Sequence, residues 1–444
     1  MFDYHKDQHA AASTQDYVFQ QLIPYIGNKR RALPMIFQAI QQTGINPRQA
    51  TFLDLFAGSG VVSRMAKRCG FKVLTNDWEP YATALNQSYI ACNYEPAFLE
   101  LGGYENVIAY LNALNPIEDW ITRHLCPTHD QYFDTRVDRL FYTRANGQRL
   151  DAMREQIEWW DKQQLITPYE KACLLAPLLF QASYVSNTSG VFKAFHQGWG
   201  GKTGTALSRI LSVVELRPIH FFDNQRANQV YQLDGLELAQ QFTQMGIEVD
   251  IAYLDPPYNQ HCYGSNYHVL NSVTLWDKPI LSEKIQGRNK AAIRQDWRER
   301  RSPYNYRGEA EQAFEGLLAN LQAHYILASY STEGLISLEN FVALALMKGH
   351  TELLCYAHKR YRVSTPRFSP KPMTVEFILI INSHKKHRGL SHSALCAKIR
   401  QTEQVLRGAS ISSANRAWTK NVVHIIGVGE ESLGTAITNS MNRF

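Results

Sequence analysis

TFLDLFAGSG, residues 51–60, reads as an apolar strand running into a glycine turn, and VVSRMAKRCG, residues 61–70, as a short helix closed by Gly70. FKVLTNDWEP, residues 71–80, repeats the strand-then-turn pattern, and YATALNQSYIACN supplies the next helix. A β-α-β-α start predicts parallel strands with crossover helices, an α/β fold. Strand-like segments return later as IEVDIAYLDPPY, HYILASYS, ELLCYAHKRYRV and VEFILIIN. Between the two sets lie long helix-like stretches such as LDAMREQIEWWDKQQLI and PYEKACLLAPLLFQASYV. The chain therefore divides into 1–100 and 226–383, two halves of one α/β domain, with 101–225 a mainly helical insertion. Residues 384–444 read as a basic, Ser-rich, weakly periodic tail or small module in which VVHIIGVG is the clear strand candidate.

At 444 residues the chain exceeds what one hydrophobic core usually serves, which agrees with a large domain carrying an insertion. No apolar run approaches the roughly 20 residues of a membrane-spanning helix, and the first residues lack the order of a secretory signal, so a cytoplasmic protein is expected. The seven cysteines, at 69, 92, 126, 173, 262, 355 and 396, are scattered and never in Cys-x-x-Cys spacing, which indicates neither a disulfide framework nor a zinc site. His196, His261 and His268 have no partners at ligand spacing, so no metal is expected. The net charge of +6 suits a polyanionic partner, and eight Lys or Arg between Lys284 and Arg307 face only Asp296 and Glu299.

Asp54 at a strand end, followed by Phe56-Ala57-Gly58-Ser59-Gly60, places glycines where the backbone turns tightly and can lie close to a ligand. An ordinary strand-to-helix turn would look the same. A dinucleotide site would want a third glycine where Ser63 stands. Asp77, after the second strand, suits the two hydroxyls of a ribose or a helix N-cap equally. In Tyr25-Ile26-Gly27-Asn28-Lys29, the Lys29 ammonium offers a partner for a carboxylate or is a solvated charge.

YIGNK, LDLFAGSG, NDWEP and YLDPPY, in this order, resemble the motifs of the Dam-like adenine-N6 DNA methyltransferases. The match covers most of residues 20–382. Around DPPYNQHCYGSNYHVLNSVTLWDKP and ILASYSTEGLIS it resembles the subgroup that includes the modification enzymes paired with the restriction enzymes FokI and NlaIII. The resemblance implies a Rossmann-like fold dependent on S-adenosyl-L-methionine, with the insertion as target-recognition lobe. It implies Tyr25, Lys29, Asp54, Phe56, Gly58, Gly60 and Asp77 as cofactor-binding residues, Lys29 toward the methionine carboxylate, and Asp234 of QLDG toward the cofactor's adenine. Two departures, Asn28 where glycine or serine is common and His261-Cys262 where Arg-Gln is frequent, weaken any transfer of sequence specificity.

The chemistry of Asp255-Pro256-Pro257-Tyr258 follows from its acceptor. The N6 lone pair of adenine is delocalised into the ring, and hydrogen bonds to both amine protons turn it toward a methyl donor. The Asp255 carboxylate and the Pro256 carbonyl, stiffened by Pro257, supply two fixed acceptors. Adenine inside a duplex must be flipped out to be reached, and the Tyr258 ring would stack on it. A Pro-Pro turn with a packed tyrosine is the bland alternative for the tetrapeptide alone. For double-stranded DNA, Lys193 and Lys202, with Asn187 and His196 of the insertion, are candidate contacts or parts of a solvated loop. The stretch holding Arg294, Arg298 and Arg301, with Trp297, Tyr304 and Tyr306, is the stronger candidate, as a mobile loop that orders on DNA.

The resulting expectation is a site-specific adenine-N6 DNA methyltransferase of a restriction-modification system, with a restriction endonuclease as possible partner and no assigned oligomeric state. Cytosine-N4 and protein-glutamine enzymes tend to carry Ser or Asn in place of Asp255. An RNA adenine methyltransferase stays open. A non-catalytic DNA-binding subunit is disfavoured by intact DPPY and FAGSG.

Overall fold

The computed structural model of the chain describes residues 17–201, 204–282, 285–359 and 373–408. Its sheet contains β1 (Thr51–Asp54), β2 (Lys72–Asn76), β3 (Gln229–Tyr231), β4 (Val249–Leu254), β5 (Ala323–Ser331), β6 (His350–Lys359) and β7 (Met373–Asn382). Their spatial order is β3-β2-β1-β4-β5-β7-β6. β1 to β5 are mutually parallel, and β7 lies antiparallel between β5 and β6. Strand order reverses between β1 and β4, so the loops after these strands leave in opposite directions and open a crevice at their carboxyl ends.

Alternation along the strands serves two cores. Phe52, Val73, Ile251 and Tyr253 face one, and Leu53, Leu74, Ala252 and Leu254 the other. The first core also takes Leu150, Met153 and Ile157 of helix Arg144–Lys162 and Leu174, Leu175 and Leu178 of helix Pro168–Tyr184. The insertion is thus fused to one face of the sheet. Helix Pro168–Tyr184 starts where Thr167 and Glu170 form a capping box, and the second Glu170 oxygen accepts from Phe98 N at 2.6 Å, tying the helix start to the first hundred residues.

Two elements differ from the sequence reading. β3 is three residues long and pairs with β2 alone, too short and too polar to leave an apolar run. Residues 392–408, read as weakly periodic tail, form a helix whose Leu395, Cys396 and Ile399 are buried in the second core. VVHIIGVG and the end of ELLCYAHKRYRV lie outside the described residues. Among those described, no helix is long and apolar enough to cross a membrane.

Candidate active site

The carboxyl ends of β1, β2, β3 and β4 and the segment Tyr25–Lys29 enclose a cavity with about 910 Å³ of empty space, its open mouth included. Tyr25, Lys29, Asp54, Phe56, Gly58, Asp77 and Asp234 all line it. Gly60 does not. It adopts φ +76° beside Asn86, whose Oδ1 an added Cβ would meet at 2.4 Å, so its glycine character serves the turn and not a ligand. The cavity floor is stapled by Asn76, which donates to Leu55 O and Leu233 O and accepts from Leu233 N. Asp77 accepts from Gly58 N at 2.7 Å and Glu79 N at 2.9 Å, fixing its carboxylate at the glycine turn. Asp234 caps helix Gly235–Gln244 through Oδ1.

Four carboxyls in this wall are shifted upward by burial. Asp54 is pushed up to about 7 despite the hydrogen bond from Ser63, and Asp77 to about 6 against its two backbone donors. Glu79 reaches about 7 although Asn271 donates to it, and Asp255 reaches about 6 against the pull of Lys29. Sequence reasoning named neither Glu79 nor Arg300, Ser302 and Asn305, which also line the cavity. Among the described residues, the buried atoms Asp54 Oδ1 and Arg300 Nε find no hydrogen-bond partner, although Arg300 Nε lies 3.9 Å from Glu79 Oε2.

Asp255 follows β4 directly and faces the cavity. Lys29 Nζ lies 3.1 Å from Asp255 Oδ1 and 3.2 Å from Glu376 Oε2 of β7, with the lysine only 5 % exposed. Burial alone would push this ammonium down, but the two acids hold it well above the usual lysine range. Its charge faces two protein carboxylates, partners that the sequence reading did not name. Pro257 lines the cavity, whereas Pro256 is buried and does not line it. The half-buried Tyr258 ring meets Tyr330 edge-on at 6.2 Å, and its hydroxyl lies 3.5 Å from Glu376 Oε1. Beyond the tetrapeptide, Asn305 Nδ2 donates to Asn259 O at 2.6 Å and anchors the loop.

Residues 25–343 match the family model of the D12 class N6 adenine-specific DNA methyltransferases, a span that includes YIGNK, the glycine turn and DPPY. The chain belongs to this family. It is 32 % identical over 340 residues to the type II methyltransferase M.NlaIII of Neisseria lactamica, covering 76 % of this chain and 92 % of that one. To modification methylase StsI of Streptococcus sanguinis it is 31 % identical over 318 residues, 71 % of this chain and 45 % of the relative. The type II methyltransferase M.FokI of Planomicrobium okeanokoites matches at 31 % over 328 residues, 73 % and 47 % respectively. The chain thus spans about half the length of the latter two. No solved structure matches it significantly. In family terms, the sheet and its crevice are the α/β methyltransferase fold.

On the DNA-facing expectations the structure divides the residues. Arg294 is 6 % exposed and bonds both Asp277 oxygens, at 2.6 and 2.7 Å, and both Asp296 oxygens, at 3.0 and 2.9 Å. A guanidinium so committed cannot also bind phosphate, so Arg294 is a structural residue. Removing it should destabilise the fold by about 2 kcal/mol, below the range for a fully buried pair because Asp277 is half exposed. Urea titration of Arg294→Met would register this, and an unchanged midpoint would contradict it. Tyr304 is buried against Phe56, and Asn187 staples its own loop through His196 O, Gly198 O and Gly200 N.

The basic stretch is therefore not a free arm: Ala291 and Ala292 are buried, and Arg300, Ser302 and Asn305 wall the cavity. Arg298 is exposed beside Trp297, and Arg301, 41 % exposed, lies over the Tyr306 ring and pairs with Glu309. Lys193 is half buried beside Cys262 and His261, and burial holds its ammonium below the usual range. Lys202 lies outside the described residues. His268 is buried, with Nε2 2.9 Å from Phe192 O.

Proposed function

We propose that this chain transfers a methyl group from S-adenosyl-L-methionine to N6 of an adenine flipped out of duplex DNA. It would do so at one short recognition sequence, in the cytoplasm, as the modification partner of a restriction endonuclease. One observation carries the reading: Asp255 stands at the mouth of the β1/β4 crevice, held through Oδ1 by Lys29, beside a cavity walled by the glycine turn and Asp77.

The residues fit the cofactor. Polar atoms on Asp54 and Arg300 that find no hydrogen-bond partner among the described residues, and two acids at the ends of β2 and β3, suit a molecule with hydroxyls, an amine and an adenine. Asp77 would hold the ribose and Asp234, through the oxygen not engaged in capping, the cofactor's adenine. When bound, the cofactor supplies a methyl on positively charged sulfur, whose C–S bond breaks as the N6–C bond forms. Asp255 and the Pro256 carbonyl accept from the N6 amine, aim its lone pair and offset the positive charge it gains. N6 then releases one proton by way of Asp255, and the amine ends neutral. Tyr258 would hold the extruded ring. Arg298, Arg301 and Lys193 would meet the DNA backbone, a contact that weakens with salt.

Asp77 and Asp255 must each be a carboxylate to act in this way. Their upward shifts mean that protons return at higher pH than for free carboxyls. Transfer should therefore plateau above about pH 7 and fall at least tenfold per unit below about pH 6. Initial rates from about pH 5 to 9 test this, and a flat profile contradicts it. Mapping N6-methyladenine in a host expressing the chain should find one short sequence modified. Absence of that mark, with the Asp255→Ala strain indistinguishable, would reject the function.

A further inference from the structure

Glu376 belongs to none of the motifs, and methyl transfer as described does not call on it. It sits in β7, opposite Ser331 of β5, at the same end of the sheet as Asp255. Its carboxylate is 3 % exposed in a strand otherwise apolar from Val375 to Ile381. Desolvating an acid there is costly, and hydrophobic replacement of such groups is often neutral or stabilising, so stability alone gives little reason for it. Its oxygens are directed at the reacting end: Oε2 at Lys29 Nζ, 3.2 Å, and Oε1 toward the Tyr258 hydroxyl, 3.5 Å.

Consider Lys29 with Asp255 alone. A buried ammonium 3.1 Å away would neutralise the carboxylate and weaken it as an acceptor for an amine that is about to become positive. With Glu376 on its other side, the ammonium is shared. Asp255 Oδ1 then stays pinned by an ammonium that does not belong to that carboxylate alone. Among the described residues, the other titratable groups that interact with Asp255 are Asp54 of β1, Tyr253 of β4, Tyr258 and Tyr263, none of which is cationic.

We propose that Glu376 is a positioning residue for transfer, acting through Lys29: it draws the ammonium out of full pairing with Asp255 and so keeps that carboxylate a strong acceptor for the N6 amine. The inference rests on the adenine-N6 reading above.

The test is Glu376→Gln in the full chain. The expected result is a kcat about tenfold lower with KM for S-adenosylmethionine within about twofold of wild type. The Asp255 part of the acid limb of the pH–rate profile should move down by about one pH unit, because Asp255 loses a like-charged neighbour and gains Lys29 entirely, and the limb should become shallower while Asp77 still titrates at about 6. A carbon-13 label in the Asp carboxyls, with the Asp255 signal assigned by its loss in Asp255→Asn, should titrate down by the same amount without DNA or cofactor. Glu376→Asp, which keeps the charge, should return most of both shifts. An Asp255 titration and acid limb unmoved in Glu376→Gln overturn the proposal. Should that variant not fold, Glu376→Asp takes its place, with a smaller shift in the same direction expected and none overturning. If wild type labels no adenine, the reading of the reaction fails and this role with it, whereas the carboxyl titration still reports whether Glu376 tunes Asp255.

Discussion

Asp255→Asn should lower kcat by about 10²–10³-fold while leaving cofactor affinity within about threefold of wild type. The substitution keeps the volume and removes the charge, and the amide then fails in either orientation. With its oxygen toward the adenine amine, its NH2 faces the Lys29 ammonium 3.1 Å from the present Oδ1. With the amide turned, the NH2 faces the amine and two donors oppose each other. A hydrogen bond to a charged acceptor contributes about 1.5–3 kcal/mol, and the charge that offsets the developing cation is lost as well. Lys29 keeps Glu376, so the fold persists, and the contacts of Asp77, Asp234 and the glycine turn are untouched. Single-turnover rates and calorimetric binding of S-adenosylhomocysteine separate the two effects. A kcat within about threefold of wild type would contradict the assignment.

Gly58→Ala should weaken cofactor binding by about 10²-fold. Gly58 has φ +52°, and its added Cβ would lie 2.7 Å from Tyr25 Cε1 and 2.9 Å from Cζ. The tyrosine cannot retreat: it is stacked on Tyr267 at 4.9 Å and Tyr263 at 5.2 Å, and the Tyr81 hydroxyl donates to it. Those partners are fixed in turn, because Tyr267 accepts from Ile26 N and Tyr263 donates to Ile26 O. Left-handed backbone at alanine costs about 1 kcal/mol and overpacking about 1–3, together about 2–4 kcal/mol placed on the turn that lines the cavity. Calorimetry with S-adenosylhomocysteine measures this, and an unchanged Kd would mean that the turn does not cradle the cofactor. Gly60→Ala is the control, since its Cβ strikes Asn86 instead and its penalty should appear as lost thermal stability.

What could be read in the sequence was what is local. TFLDLFAGSG and FKVLTNDWEP announce β1 and β2 because buried parallel strands are short apolar runs ended by turn residues, and DPPY ends such a run at β4. β3 escaped because an edge strand of three residues needs no apolar face of its own. The cavity was legible where its residues follow strands directly, at Asp54, Phe56, Gly58, Asp77, Asp234 and Asp255. It was not legible where a distant segment closes it, at Arg300, Ser302 and Asn305, and Glu79 was passed over inside NDWEP.

Charge runs misled for the same reason. Arg294 counted toward a phosphate-binding stretch, but Asp277, outside that stretch, takes its guanidinium. Lys29 was read without its partner Glu376, which lies 347 residues away. One signal was present: a single acid inside VEFILIIN, a strand otherwise apolar in its first seven residues, marks a buried charge that needs a partner.

The central claim is tested most directly by incubating the chain with duplex DNA and methyl-tritiated S-adenosylmethionine, digesting the product to nucleosides and separating them. The account predicts label in N6-methyldeoxyadenosine alone, absent with Asp255→Ala. Label in N4-methyldeoxycytidine, label only when RNA replaces DNA, or no label on any duplex would contradict it.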